Sequence, residues 1–182
     1  SWTPLNNIPG IVQEAFISAE DHRFYSHPGI DILAILRAVK SNLTEGRIVS
    51  GASTLTQQLS RMSYPRERTY YDKLVEVIRS LRIEWVLEKD QILELYLNRV
   101  PLGNNLLGIK AGSSVYFGKA LSRLTNSEAA LLASLPKAPG RLNPYGNNID
   151  SLIERRGWVL EQMFKYGHVS SREMEASLQN IP

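Results

Sequence analysis

Three short stretches bring together side chains able to move protons or hold anions. The first is Glu20-Asp21, followed by His22-Arg23-Phe24-Tyr25-Ser26-His27-Pro28-Gly29, where Pro28 and Gly29 end any helix. Adjacent helical residues do not share a face, so Glu20 and Asp21 must have different jobs. Partial burial, or the negative end of a helix, would raise a carboxylate's pKa toward that of a working base. The plainer alternative, which suits most Glu-Asp pairs met without context, is an acidic and hydrated helix end. The second stretch, Gly51-Ala52-Ser53-Thr54-Leu55-Thr56-Gln57-Gln58-Leu59, sets small residues and hydroxyls ahead of two amides. Free backbone N–H groups and hydroxyls at a helix start can cradle an anion or a sugar, although an ordinary N-capped helix has the same composition. In the third, Lys73 and Glu76 are neighbours on one helix face, with Arg61, Arg66 and Arg68 just upstream. This is either a surface ion-pair network or a set of cations that neutralises a diphosphate. In the second case the carboxylate orients a lysine or holds a metal ion.

The elements that must position these groups are helices. Apolar residues recur mostly every three or four positions. Ile11, Ala15, Ile17 and Ala19 predict a helix after Pro9-Gly10 that ends near Asp21, and Ile32, Ile35, Leu36 and Val39 predict another with Asp31 as its N-cap. A third runs from about Thr54 to Arg61, closed by Ser63-Tyr64-Pro65. The longest stripe, Leu74, Ile78, Leu81 and Trp85, predicts a helix from roughly Thr69 to Leu87 with Leu74 and Ile78 turned to the core. Further helices are expected at 90–98, 107–116, 127–135 (buried), 150–166 and 171–179, the last opening with Ser170 and Glu173 in capping-box spacing. Alternating strand patterns are nearly absent, so the fold class is mainly α. Residues 44–53 have the glycine-rich, small and polar composition of a mobile loop over a site. The apolar segment 30–43 before it is either a core helix or one that rests partly on a membrane.

Bulk properties narrow the classes. A chain of 182 residues suits one domain, or one domain with a small lobe. With 43% hydrophobic and 21% charged residues it is an ordered globular protein. A net charge of +3 is too mild for a nucleic-acid binder, yet leaves room for a local phosphate site. Absence of cysteine excludes disulfides and thiolate metal sites. No apolar run is long enough to span a bilayer, and the opening Ser1-Trp2-Thr3-Pro4 reads as the start of a fragment cut from a longer protein.

Together the stretches resemble the family 51 glycosyltransferases, the peptidoglycan polymerases that occur alone or at the N-terminus of class A penicillin-binding proteins. The family's motifs appear in order along nearly the whole chain: Glu20 to Gly29, Gly51 to Leu59, Lys73-Leu74-Val75-Glu76, Ile92 to Gly103 followed by Tyr116-Phe117-Gly118-Lys119, and Arg155-Arg156-Gly157-Trp158-Val159-Leu160. Gly51-Ala52-Ser53-Thr54, Asn98-Arg99-Val100-Pro101 and Leu135-Pro136-Lys137-Ala138-Pro139 are most similar to the 1C type.

The resemblance implies a lysozyme-like fold over residues 1–182: a larger helical lobe plus a small membrane-facing jaw lobe to which residues 30–52 contribute. It implies polymerisation of lipid II onto a growing lipid-linked glycan chain, with inversion to a β-1,4 link and release of polyprenyl diphosphate. Glu20 would be the catalytic base. Glu76, the second catalytic residue, would orient Lys73 or share a divalent ion (magnesium or manganese) with the diphosphate; no cofactor is strictly required. Substrate would be bound by Lys73, Arg61, Arg68, Ser53, Thr54 and Gln58, with Phe24 and His27 shaping the cleft floor and Asp21 bracing the turn. Asn98, Gly103, Tyr116, Phe117 and Gly118 match the family but are explained by packing and turns. The implied place is the extracytoplasmic face of the bacterial membrane, beside other cell-wall synthesis proteins and anchored by a segment upstream of Ser1. Three positions depart from the usual pattern: Ala52 for a glycine, Arg61 for a lysine, and Asp72 for an arginine. Two other readings stand beside this one, a glycan-cleaving enzyme on the same fold and a non-catalytic binder of lipid diphosphates or glycan. A hydrolase, whose leaving sugar is neutral, has little need of the Arg61–Lys73 cations.

Overall fold

A computed structural model of the chain describes residues 2–45, 53–64 and 69–182. Its helices are α1 (Gly10–Glu20), α2 (Ile32–Glu45), α3 (Leu55–Ser63), α4 (Tyr70–Val86), α5 (Lys89–Arg99), α6 (Ile109–Phe117), α7 (Asn126–Ser134), α8 (Ile149–Lys165) and α9 (Ser171–Gln179). The only pairing of extended backbone among the described residues is one isolated bridge, Pro101 to Leu107. Helix starts follow local chemistry. Thr54, Thr125 and Ser170 each accept the backbone N–H three residues on, and Gln57, Glu128 and Glu173 return a side-chain bond to the cap. Each such cap is worth about 1 kcal/mol. Asp31 caps α2 by accepting the Ala34 N–H at 2.9 Å.

The larger lobe is built around α7, of which every residue from Ser127 to Ser134 is buried. Its alanines and serines let α1 and α8 approach closely on either side, with α9 behind. Burying Leu131 and Leu132, both almost wholly enclosed, contributes about 1.5–3 kcal/mol each. Arg156 is also buried there: its Nη1 donates to Ser127 Oγ, Ser177 O and Asn180 O, and its Nη2 to Leu178 O. It thereby satisfies the last carbonyls of α9 and pins that helix to the core. Asn98 holds the N-terminal segment, exchanging hydrogen bonds with the Thr3 backbone. Tyr116 donates to Leu102 O at 2.7 Å. At Gly103, with φ +83°, a Cβ would lie 2.7 Å from Pro139 O. These three positions are scaffold, as expected.

Helices α3 and α5 pack together, α4 lies outside α3, and α2 has the lightest packing. Two expectations are corrected here. The stripe on α4 does not face the core: Leu74 is 57% exposed, Ile78 50% and Trp85 91%. The face turned inward instead carries Glu76, Ser80 and Glu84. Nor is α2 a core helix, because Ile32, Leu33, Leu36, Val39 and Leu43 are all exposed and, among its residues whose burial is described, only Ala38 is buried. Part of the expected jaw segment and loop, residues 46–52, lies outside the described residues. No described helix is long and apolar enough to cross a membrane.

Candidate active site

Glu20 is the last residue of α1, and the chain turns sharply at Asp21. Asp21 is buried and holds the turn from beneath. One of its oxygens accepts the Leu55 N–H of α3 at 3.0 Å, and its carboxylate lies 2.9 Å from His27 Nε2. Since His27 Nδ1 accepts the Gly29 N–H, the ring proton sits on Nε2 and is donated to Asp21. Lys89 donates to His27 O and to Glu84, and its ammonium lies 4.5 Å from the centre of the buried Phe24 ring. Gly29 has φ +89°, and a Cβ there would fall 3.1 Å from Ser80 O, so the turn rests directly on α4. Thr54 Oγ1 donates to Gly29 O at 2.6 Å while capping α3.

This bracing aims Glu20 at α3. Gln58 Nε2 donates to Glu20 Oε2 at 2.7 Å, and Tyr96 OH donates to Gln58 Oε1 at 3.2 Å. Tyr96 is fully buried, and burial with the nearby Glu20 charge holds its phenol well above the ordinary range. It stays protonated and fixes which end of the Gln58 amide meets the carboxylate. Glu20 Oε1 is buried and has no hydrogen-bond donor among the described residues; Arg155 Nη2 stands 3.9 Å away. That guanidinium sits over Trp158, its central carbon 3.8 Å from the ring centre. Burial raises the Glu20 pKa above its ordinary value, and Gln58, Arg155, Lys137 and Arg61 only partly offset it. Glu20 opens on a cavity of about 240 Å³ lined also by Ser53, Arg37, Trp158, Gln162 and Tyr166.

One turn along α3 from Gln58, Arg61 donates to Glu76 Oε2 at 3.4 Å. Lys73 donates to Glu76 Oε1 and, at 3.1 Å, to Ser53 Oγ. Both cations are about half exposed while Glu76 is mostly enclosed, so the carboxylate holds the cations and they face solvent. With both oxygens engaged, Glu76 fits the task of orienting cations better than that of a metal ligand. The described His and carboxylate groups close enough to share an ion are Asp21, His27 and Asp31, and the first two are already bonded to one another.

The structure therefore links Glu20, Gln58, Arg61, Lys73, Glu76 and Ser53 in one site: Gln58 bonds to Glu20, Arg61 and Lys73 to Glu76, Lys73 to Ser53, and Ser53 lines the cavity beside Glu20. At its base Asp21 bonds to His27 and to the Leu55 N–H, Thr54 bonds to Gly29 O, and Phe24 is fully enclosed, while Asp21 and Thr54 also line the cavity beside Glu20. Arg68, and Arg66 with it, lies outside the described residues. Asp72 exchanges hydrogen bonds with Thr69 in the first turn of α4, a capping role. Sequence reasoning assigned no part to Tyr96 or Arg155. Both stand inside matched motifs, and a tyrosine on the buried face of α5 was the available signal.

The family model described as Transglycosylase matches residues 1–164. The chain is 42% identical over 178 residues to a Cupriavidus necator protein described as "Putative transglycosylase", covering 97% of this chain and 76% of that protein. It is 44% identical over 172 residues to penicillin-binding protein 1A of Escherichia coli, covering 94% of this chain and 20% of the relative. It is likewise 44% identical over 168 residues to penicillin-binding protein 1C of the same organism, covering 90% and 21%. The chain belongs to the transglycosylase family, the peptidoglycan glycosyltransferases of the resemblance drawn above. Its penicillin-binding relatives include a 1C type, at the same identity as the Escherichia coli 1A protein, and the chain spans about a quarter or less of their length.

Proposed function

We propose that this domain polymerises lipid II, with Glu20 taking the proton from the 4-hydroxyl of the acceptor sugar. The oxygen so freed attacks the anomeric carbon of the lipid-linked donor from the face opposite the diphosphate. The bond from that carbon to the diphosphate oxygen breaks with inversion, polyprenyl diphosphate leaves, and the proton on Glu20 passes to water. A positioned base is worth about 10²–10⁴-fold on a poor nucleophile such as a sugar hydroxyl. The leaving group needs no proton of its own where cations meet its developing charge. Arg61 and Lys73, held by Glu76, supply that charge, and Arg68 is assigned with them on the motif alone. No step runs through a metal ion.

The observation that carries this reading is the state of Glu20. One oxygen is fixed by Gln58, the other has no donor among the described residues and borders a cavity, and Arg61 of α3, one turn on from Gln58, meets Lys73 of α4 at Glu76. The exposed apolar residues of α2 and α4 support a jaw that rests on the extracytoplasmic membrane surface, where the lipid substrates lie. The test is incubation with labelled lipid II: wild type makes polymer and Glu20→Gln makes none. Release of muropeptides from preformed glycan would instead identify a cleaving enzyme.

A further inference from the structure

An enzyme that joins two lipid-linked diphosphates must hold two of them, and Arg61 with Lys73 accounts only for the one that leaves. The acceptor keeps its diphosphate, two sugar rings from the hydroxyl that reacts and still joined to a prenyl chain. The cavity that holds Glu20 is bordered by His22 and Arg37, and the same two residues border a second, shallower pocket of about 360 Å³. Arg23, Leu33, Leu36 and Lys40 complete its lining.

We propose that this second pocket, between the 22–23 turn and α2, binds the diphosphate of the acceptor and the first isoprenoid carbons of its lipid. This rests on the proposed function. Arg23, Arg37 and Lys40 bring three cations to its lining, and Leu33 and Leu36 bring apolar surface. Among the described residues the salt bridges of these cations go to one carboxylate, the buried Asp31, 3.7 Å from Arg23 and 3.9 Å from Arg37, which the two share while Lys40 adds a third positive charge. Asp31 also accepts the Ala34 N–H, so cationic charge remains in excess there. His22 stacks on Tyr166 at 4.4 Å with their planes 7° apart, forming a wall between the two pockets. Burial, and then Arg37, press its imidazole below the ordinary range, so it faces the site as a neutral hydrogen-bonding group. The placement is consistent along the path of the substrate: hydroxyl at Glu20, sugars in the first cavity, diphosphate at the second, prenyl chain leaving over the exposed leucines of α2.

The test separates the two substrates. A lipid II capped at its 4-hydroxyl serves only as donor, and one whose anomeric carbon is joined to the diphosphate through carbon serves only as acceptor. In neutral detergent micelles, Arg37→Ala with Lys40→Ala is expected to raise the KM of the acceptor-only substrate by about tenfold or more, leaving donor KM and kcat within about twofold. Restoring charge with Arg37→Lys and Lys40→Arg should recover much of the loss. An unchanged acceptor KM, or equal rises for both substrates, overturns the assignment. So does a defect seen only when anionic phospholipid is added, which would mark a headgroup-binding surface. Binding of the acceptor-only substrate to Glu20→Gln, with and without the two alanines, reads the same site without turnover. Loss of coupling in wild type would then count against the proposed function and not against this pocket.

Discussion

Replacing Glu20 by glutamine should abolish polymerisation and make the protein more stable at neutral pH. Oε2 accepts a hydrogen bond from Gln58, but Oε1 is buried with no donor among the described residues, and burial outweighs the favourable contacts, so the carboxyl pKa lies above its ordinary value of 4.5. The folded state thus holds this proton more tightly than the unfolded chain. The contribution to stability is fully present below the unfolded pKa and is lost as pH rises through the folded one. Each unit of displacement corresponds to about 1.4 kcal/mol, and in a domain of this size 1 kcal/mol moves Tm by about 2–4 °C. Glutamine keeps the shape and can still accept from Gln58, but carries no charge to desolvate. Calorimetry should find Glu20→Gln melting above wild type at about pH 7.5, with the gap closing toward pH 4.5. In the same preparation polymerisation should fall by about 10²–10⁴-fold. A variant that melts lower at neutral pH, or a gap that does not change with pH, would show that the carboxylate is not held in a strained ionised state, and the case for a poised base would fail.

Other perturbations probe the surrounding groups. Arg155→Ala removes a cation that favours ionised Glu20, so the acidic limb of the kcat/KM profile should move to higher pH, with Arg155→Lys intermediate; a profile that does not move removes Arg155 from the site. Tyr96→Phe deletes the hydroxyl that fixes Gln58, at a cost of about 0.5–1.5 kcal/mol in stability, and should lower kcat several-fold without altering KM. An unchanged kcat would mean that the amide is oriented by something else. Asp72→Arg breaks the exchange with Thr69 and puts a cation at the positive end of α4. It should cost about 1 kcal/mol in thermal denaturation while polymerisation stays near wild type. A severe loss of activity would give Asp72 a part in the reaction.

Helix positions were legible because they rest on local chemistry. Thr54 with Gln57 and Ser170 with Glu173 form the caps that their spacing announces, and the small apolar run 127–135 is the buried centre. Sidedness was less legible. Spacing along α4 shows that Leu74, Ile78, Leu81 and Trp85 share a face, but not what covers it, and that face looks outward. The inward face carries Glu76, Ser80 and Glu84 because it borders the site and the 22–31 turn. Within the site, the charged residues could be picked out by type and order. Their division of labour could not: Thr54 and His27 look like ligand-binding groups in the sequence, yet bond to Gly29 and Asp21. Arg155 and Tyr96 are brought to Glu20 by helix packing over long sequence separations, which no local pattern encodes.

The second oxygen of Glu20, which has no donor among the described residues, also bears on inhibition. A sugar mimic with a ring or exocyclic ammonium where the reactive hydroxyl would sit can donate a hydrogen bond to this atom, together with a countercharge for a carboxylate whose charge burial disfavours. Such a compound should bind more tightly as the medium becomes more alkaline, until its own amine loses its proton. It would draw on an ionised group that the enzyme cannot exchange for a neutral one without ceasing to build glycan.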